Sequence, residues 1–332
     1  MGYHLIAHEA HIAHRPTLAL QIPAQVSTLT YTQNGMLILG SADGSIRLYR
    51  PPDTKVVRAI RGLDSEVSSV AAVTPTTGTF GHIWVACGCL VSSVVEAPPG
   101  ACQRGDTQCS GHSDVTNEIS VSENEKTLAF SMDSGAVGVV DLVTNNIRRM
   151  ETQHNSICAV VRFIPDRPSE LVSGGYDSTL LHFDFGQRTI LSRREFTSLP
   201  QSSDVSLSPP FTAVYGLVLG DDKRLSVKRT RKWGGLREDM SLSKKIADGP
   251  IVAVAFLDPS VIVTSTLLGV ISRHTLSTEG STEDWRLEST RVAQTPSIAK
   301  VNALAVHDRS VVVGGFQADG TGTAEVYRHE IV

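Results

Sequence analysis

A strand–turn–strand unit returns along this chain at a nearly constant interval, and that repetition limits the fold more than any single motif does. In LVSGGYDSTLLHFDF (171–185) an apolar run reaches two glycines, Asp177 and Ser178 turn the chain, and a second apolar run follows. Phe183 comes six residues after Asp177. Tyr49 comes six after Asp43 in LILGSADGSIRLYR, and Lys228 six after Asp222 in LVLGDDKRLSVKR. Val95, Val140, His274 and Tyr327 hold the matching place in four further segments. The positions 49, 95, 140, 183, 228, 274 and 327 are separated by 46, 45, 43, 45, 46 and 53 residues. Upstream of each lies another strand-like segment: VSTLTY, VSSVAAV, NEISVS, ICAVVRF, FTAVYGL, IVAVAFL and VNALAVH. Short strands at this period are the sequence sign of propeller blades, none of which can bury both faces alone.

The expected fold is therefore all-β: a seven-bladed β-propeller filling residues 17–332 behind an N-terminal extension, 1–16. Blades are expected at about 24–60, 66–98, 112–150, 154–196, 205–245, 249–290 and 297–332. The last of these ends one strand short. TLALQI (17–22), just ahead of the first blade, is placed to supply that strand and remove two open sheet edges.

The layout resembles WD40 repeats, which carry Gly-His before the first strand, Ser or Thr and Asp around the turn, and Trp-Asp at the end of the third strand. Gly111–His112 and His154 match the first feature; His154, Ser173 and Asp177 together match the buried hydrogen-bonded set of that family. No tryptophan occupies any of the seven positions, and Phe183 has no donor to complete the set in blade four. Greater reliance on apolar packing follows. Residues 112–195 are similar to the WD repeat-containing protein 53 family. That resemblance implies an adaptor, a substrate receptor of a cullin-4 RING ubiquitin ligase that binds the ligase adaptor and a substrate. In such receptors an arginine two residues past the Trp-Asp aspartate is tied to docking; Pro52, Val143 and Gly186 stand there in blades one, three and four.

Composition narrows the remaining classes. A net charge of −4 does not mark a global nucleic-acid binder. There is no run of 18 apolar residues to span a membrane and no secretory signal at the start, so a cytoplasmic or nuclear location with reduced thiols suits the five cysteines. His4, His8, His11 and His14 would share one side of a helix, and Cys102 and Cys109 lie in a Gly- and Pro-containing loop between blades two and three. Neither spacing matches a tight zinc site, so no metal or cofactor is expected. There is no G-x-S-x-G elbow, phosphate loop or H-E-x-x-H, and His154, Ser173 and Asp177 fall at structural repeat positions, so no enzymatic activity is expected.

The strongest partner signal is electrostatic. Residues 223–245 hold nine Lys/Arg and two acids, a segment of +7 against −11 for the rest. Within it Lys228, Arg229, Arg231, Lys232 and Trp233 are candidates for contact with an acidic protein, for phosphate binding or for a nuclear address. Read plainly, the same segment is a solvated outer hairpin of blade five. Residues 197–210, rich in Ser and Pro, read as a mobile insertion with Ser208–Pro209 as a modification site. Repeat register adds Asn117, Asn155, Ser156, Tyr176 and Asp221 as loop positions for protein interaction. Three readings follow: an interaction scaffold, monomeric within a larger complex; an escort or assembly chaperone for a basic client such as a ribosomal protein or histone; and a nucleic-acid-binding propeller using 223–245. The last ranks below the others because only one aromatic is interleaved with the basic residues.

Overall fold

A computed structural model describes residues 14–73, 82–96, 102–107, 114–164, 167–196, 200–208, 211–219, 224–230, 241–245, 247, 249–258, 260–278 and 285–328. In strands β9 and β18 to β21 it describes the backbone alone. The elements among the described residues are all strands, in four-stranded antiparallel sheets. After β1 (Leu18–Ile22), the first sheet contains β2 (Val26–Tyr31), β3 (Leu37–Ser41), β4 (Ile46–Tyr49) and β5 (Val56–Ile60). The second contains β6 (Val67–Ala72), β7 (His82–Cys87), β8 (Leu90–Glu96) and β9 (Cys102–Thr107). The third contains β10 (Thr116–Val121), β11 (Thr127–Met132), β12 (Val137–Asp141) and β13 (Ile147–Arg149). The fourth contains β14 (Cys158–Ile164), β15 (Arg167–Gly175), β16 (Thr179–Asp184) and β17 (Thr189–Glu195). The fifth contains β18 (Pro200–Ser208), β19 (Phe211–Leu219), β20 (Arg224–Thr230) and β21 (Ser241–Lys245). The sixth contains β22 (Ile251–Asp258), β23 (Val261–Thr266), β24 (Val270–Thr278) and β25 (Trp285–Gln294). The last sheet joins β26 (Lys300–His307), β27 (Ser310–Phe316) and β28 (Gly322–Arg328) to β1.

Ring closure is read from contacts between first strands. β2 meets β6, β6 meets β10, and the series runs through β14, β18, β22 and β26 back to β2. The seam is made by β1, which pairs antiparallel with β28 from Leu18 opposite Val326 to Ile22 opposite Gly322. Apolar layers fill the spaces between neighbouring sheets. Met36, Ile38 and Leu48 of the first sheet pack on Val67, Ile83 and Val85 of the second, and Leu20, Ile22 and Val326 pack on Val26, Leu37 and Tyr49. The repeat positions fall in these layers: Tyr49, Val140, Phe183, His274 and Tyr327 are each 2 % exposed or less.

One backbone device recurs in every sheet. The pairing of each first strand with its neighbour slips once near the start, around residues 27, 68, 117, 159, 201, 252 and 302. Such a bulge re-aims one side chain per strand. Where that side chain is a described polar group, it donates to a backbone carbonyl of the next first strand: Ser27 Oγ to Val67 O at 2.6 Å, Ser68 Oγ to Thr116 O at 2.6 Å, Asn117 Nδ2 to Cys158 O at 3.0 Å, and Asn302 Nδ2 to Val26 O at 2.9 Å. Ala159 and Val252 have no donor to offer at the same point.

Three sequence expectations are corrected here. FTAVYGL is no separate first strand of blade five; it opens the nine-residue β19, which pairs on one side with β18 and on the other with β20. The first strand is PQSSDVSLS, inside the segment read as a mobile Ser/Pro-rich insertion, so this sheet begins at Pro200 and not at about 205. The polar composition misled, because a first strand needs an apolar residue only on the side facing its neighbours. Cys102 likewise starts β9, the fourth strand of the second sheet, which therefore runs past residue 98 to Thr107; Cys109 is outside the described residues.

Candidate functional site

Four chemistry-bearing residues of blade four form one largely buried group. His154 precedes β14, Ser173 lies on β15, Asp177 is in the β15–β16 turn, and Thr179 opens β16. His154 Nε2 is 2.8 Å from Ser173 Oγ, and Nδ1 is 3.0 Å from Asp177 Oδ1 and 2.9 Å from Thr179 Oγ1. Thr179 Oγ1 donates to Asp177 Oδ1 at 2.7 Å, and the Asn155 N–H donates to Asp177 Oδ2 at 2.9 Å. Burial pushes the Asp177 carboxyl up, but these donors outweigh it and hold it at about 2. Burial also lowers the pKa of His154, with Asp177 opposing the shift, so the imidazole is neutral at pH 7. The ionised carboxylate then places the proton on Nδ1, and Nε2 accepts from Ser173. Gly175 is required beside the ring: a Cβ there would meet Nδ1 at 2.4 Å.

The connectivity Asp–His–Ser is that of a hydrolase triad. Access distinguishes the two cases. Ser173 is 0 % and His154 3 % exposed, so the hydroxyl faces no substrate-sized space. The group fastens a turn to the strand beneath it, as its repeat position implied.

Other blades fasten themselves with different residues, which the sequence reading did not anticipate. In blade one the buried Arg47 donates to Ser41 Oγ at 3.2 Å and to Ser45 Oγ, with Asp43 Oδ2 3.5 Å away. In blade six His274 occupies the tryptophan position, its Nε2 2.8 Å from Thr264 Oγ1 and its Nδ1 2.9 Å from Ser289 Oγ. In blade seven the Tyr327 hydroxyl donates to Glu325 Oε2 at 2.6 Å, and the Ser297 N–H and hydroxyl donate to Glu325 Oε1. Burial and then the neighbouring carboxylate raise the Tyr327 pKa. The expectation of mainly apolar packing is corrected accordingly: the five described tryptophan positions are buried, but three of these blades carry their own polar networks. The signal was present in the alternation, since Arg47 and Glu325 each lie two residues before the repeat position and share its side of the strand.

The exposed chemistry lies on two faces. On the upper face, the loop before β14 brings Asn155 and Ser156 beside Tyr176, whose N–H donates to Ile157 O at 2.7 Å. The same bond joins Asp133 N–H to Val115 O in blade three at 3.0 Å and Leu267 N–H to Pro250 O in blade six at 2.8 Å. Asn155 is exposed; Ser156 and Tyr176 are half-buried. Asn117 does not join this group. It lies on the wall of the central channel, a cavity of about 240 Å³, with its amide donating to Cys158 O. Beside it Glu118 forms an ion pair with Arg162 at 2.7 Å and accepts from the Val161 N–H.

The basic segment is only partly placed. Lys228 and Arg229 lie in β20, Lys228 opposite Tyr215 and Ser241, Arg229 opposite Val214. Asp221, Arg231, Lys232 and Trp233 lie outside the described residues, as do His4, His8 and His11. His14 forms a parallel bridge with Ala293 of β25. Among the described residues no group of three or more His, Cys, Asp or Glu could hold a metal ion, and no helix is long and apolar enough to cross a membrane.

On the lower face, a cleft of about 550 Å³ opens between blades one and seven. Tyr31 and His307 stack at its floor with ring centroids 5.3 Å apart.

Comparison with known proteins agrees with this architecture. A family model, "WD domain, G-beta repeat", matches residues 17–50. That span runs from the closing strand β1 through β4, a unit that joins the outer strand of one sheet to three strands of the next. The chain is 26 % identical over 138 residues to the WD repeat-containing protein 53 homolog of Dictyostelium discoideum. The match covers 37 % of this chain and 38 % of that relative. The chain is thus a β-propeller that carries a WD40 repeat at its closing seam and resembles, over part of its length, the WD repeat-containing protein 53 homolog.

Proposed function

We propose that this protein is a non-enzymatic interaction scaffold, a seven-bladed ring whose loops hold partner proteins, and that it acts as a substrate receptor for a cullin-4 RING ligase in the cytoplasm or nucleus. One observation carries the scaffold reading. Among the described residues, the linked polar sets that resemble catalytic groups, His154–Ser173–Asp177, His274 with Thr264, and Glu325–Tyr327, are buried or nearly so and committed to fastening blades. What faces outward is a crown of pinned loops. Rigid loops lose little entropy when a partner docks, which favours recognition by surface complementarity. The ligase link rests on what the resemblance of residues 112–195 to the WD repeat-containing protein 53 family implies, a resemblance that the partial match to its homolog supports.

Affinity purification of the tagged full chain under gentle conditions, read by mass spectrometry, tests both layers. Recovery of the cullin and its adaptor supports the receptor role. Reproducible partners without either would remove the ligase role and keep the scaffold. No partner above background would sink the scaffold reading.

A further inference from the structure

The lower-face cleft between blades one and seven combines features that point to a ligand. It is built by three loops, two of the first blade, the β2–β3 turn with Asn34 and Gly35 and the β4–β5 loop with Arg50, and one that only ring closure brings to them, the β26–β27 turn with His307, Asp308 and Arg309. The approach is close. Gly35, at φ +78°, would place a Cβ 3.2 Å from His307 Nε2, so blade one's turn sits against blade seven's imidazole. His307 stacks on Tyr31, which fixes a flat floor.

The charge balance at this floor is unequal. Among the described residues Asp308 is the one carboxylate lining the cleft, and it lies 3.4 Å from His307 Nε2. Arg50 and Arg309 have no ion pair among the described residues. Both are exposed. Arg50, whose Nη2 rests 4.0 Å from Met36 Sδ, and Arg309 line the same cavity, and two guanidinium groups at one cleft suit an anion of charge about −2, because each can bind two oxygens at once. The cavity is large enough for a side chain with its flanking backbone.

We propose that this cleft binds a phosphorylated serine or threonine on a segment of a partner protein, with Arg50 and Arg309 holding the phosphate and the stacked Tyr31–His307 floor receiving the peptide beside it. The inference rests on the scaffold reading and names the chemistry of one docking point on it.

The test uses the purified full chain and three degenerate peptide pools that differ at one fixed central residue: phosphoserine, glutamate or serine. Wild type is expected to retain the phosphoserine pool at least tenfold over the serine pool, with glutamate between. The Arg50→Ala/Arg309→Ala double variant is expected to lose that preference. Both residues are exposed, so its melting temperature should match wild type within 2–3 °C on the order of measurement error. Equal retention of all three pools by wild type, or an unchanged preference in the double variant, overturns the proposal. Preference for free inorganic phosphate over the peptide-borne group in competition also overturns it. Affinity purification with the double variant separates this inference from the broader one: partners recovered as before leave the scaffold standing while the cleft fails.

Discussion

At the residue scale, blade four depends on a neutral imidazole held between a hydroxyl and a carboxylate. Ser173→Ala leaves His154 Nε2 buried with no donor, and the expected loss is about 1–3 kcal/mol, read as a lower urea midpoint with the slope unchanged. A loss no larger than that of an exposed serine would show that the hydroxyl is not needed. The same group predicts a pH dependence. Burial lowers the folded pKa of His154 from 6.5, so the unfolded chain takes up a proton that the folded chain refuses. Its stabilising contribution is complete above pH 6.5 and is lost as pH falls below it. His182, also buried and lowered, acts in the same direction. Asp177, held at about 2, adds a further loss as pH falls from 3.8 toward 2. The melting temperature of wild type should therefore fall between pH 7 and pH 5, and His154→Gln should make that fall shallower. Parallel curves for the two proteins would assign the slope to other groups.

At the scale of the element, the bulge near the start of each first strand is the joint between neighbouring blades. Asn302→Ala should cost about 0.5–1.5 kcal/mol, since it removes the Asn302–Val26 bond at the seam between the last and first sheets. Ala159→Asn tests the converse. It adds an amide at the bulge position where blade four faces β18, within the pattern by which Asn117 reaches Cys158. A rise in melting temperature of a few degrees is expected; a fall would show that the blade four–five junction is built differently from the others. The repeat positions themselves were legible from sequence, because spacing alone identified Tyr49, Phe183 and His274 as buried. The bulge residues were not. Ser27, Ser68 and Asn117 look like ordinary polar strand residues until the partner carbonyl on the next blade is known, and Asn117 taken from sequence alone reads as a surface contact.

The whole molecule is a ring whose strength at one place depends on its first strand. Removing residues 1–22 deletes β1, which buries Leu20 and Ile22 and pairs five residues with β28. Those two side chains alone are worth about 1.5–3 kcal/mol each. The truncated chain should melt well below wild type and elute as larger species on size exclusion, since β28 becomes an open edge. A monomer with wild-type stability would mean that β1 is dispensable. The cleft that holds Arg50 and Arg309 belongs to this scale too. Its two walls are about 260 residues apart in the chain and meet only because the seam closes.

The sequence by itself determined the strand periodicity, the buried register and the closing partner of the last sheet. These follow from short-range facts: turn residues at fixed offsets, alternation along strands, and a missing strand matched by a spare one. Blade five shows where that logic stops. Its first strand is polar enough to pass for a linker, because one side of such a strand faces the channel and needs no apolar signal. The tertiary structure alone decided which polar residues join blades, which histidines are buried beyond the reach of a substrate, and which charges share a cleft. Those are contacts between residues far apart in sequence, and no local pattern carries the distance between them.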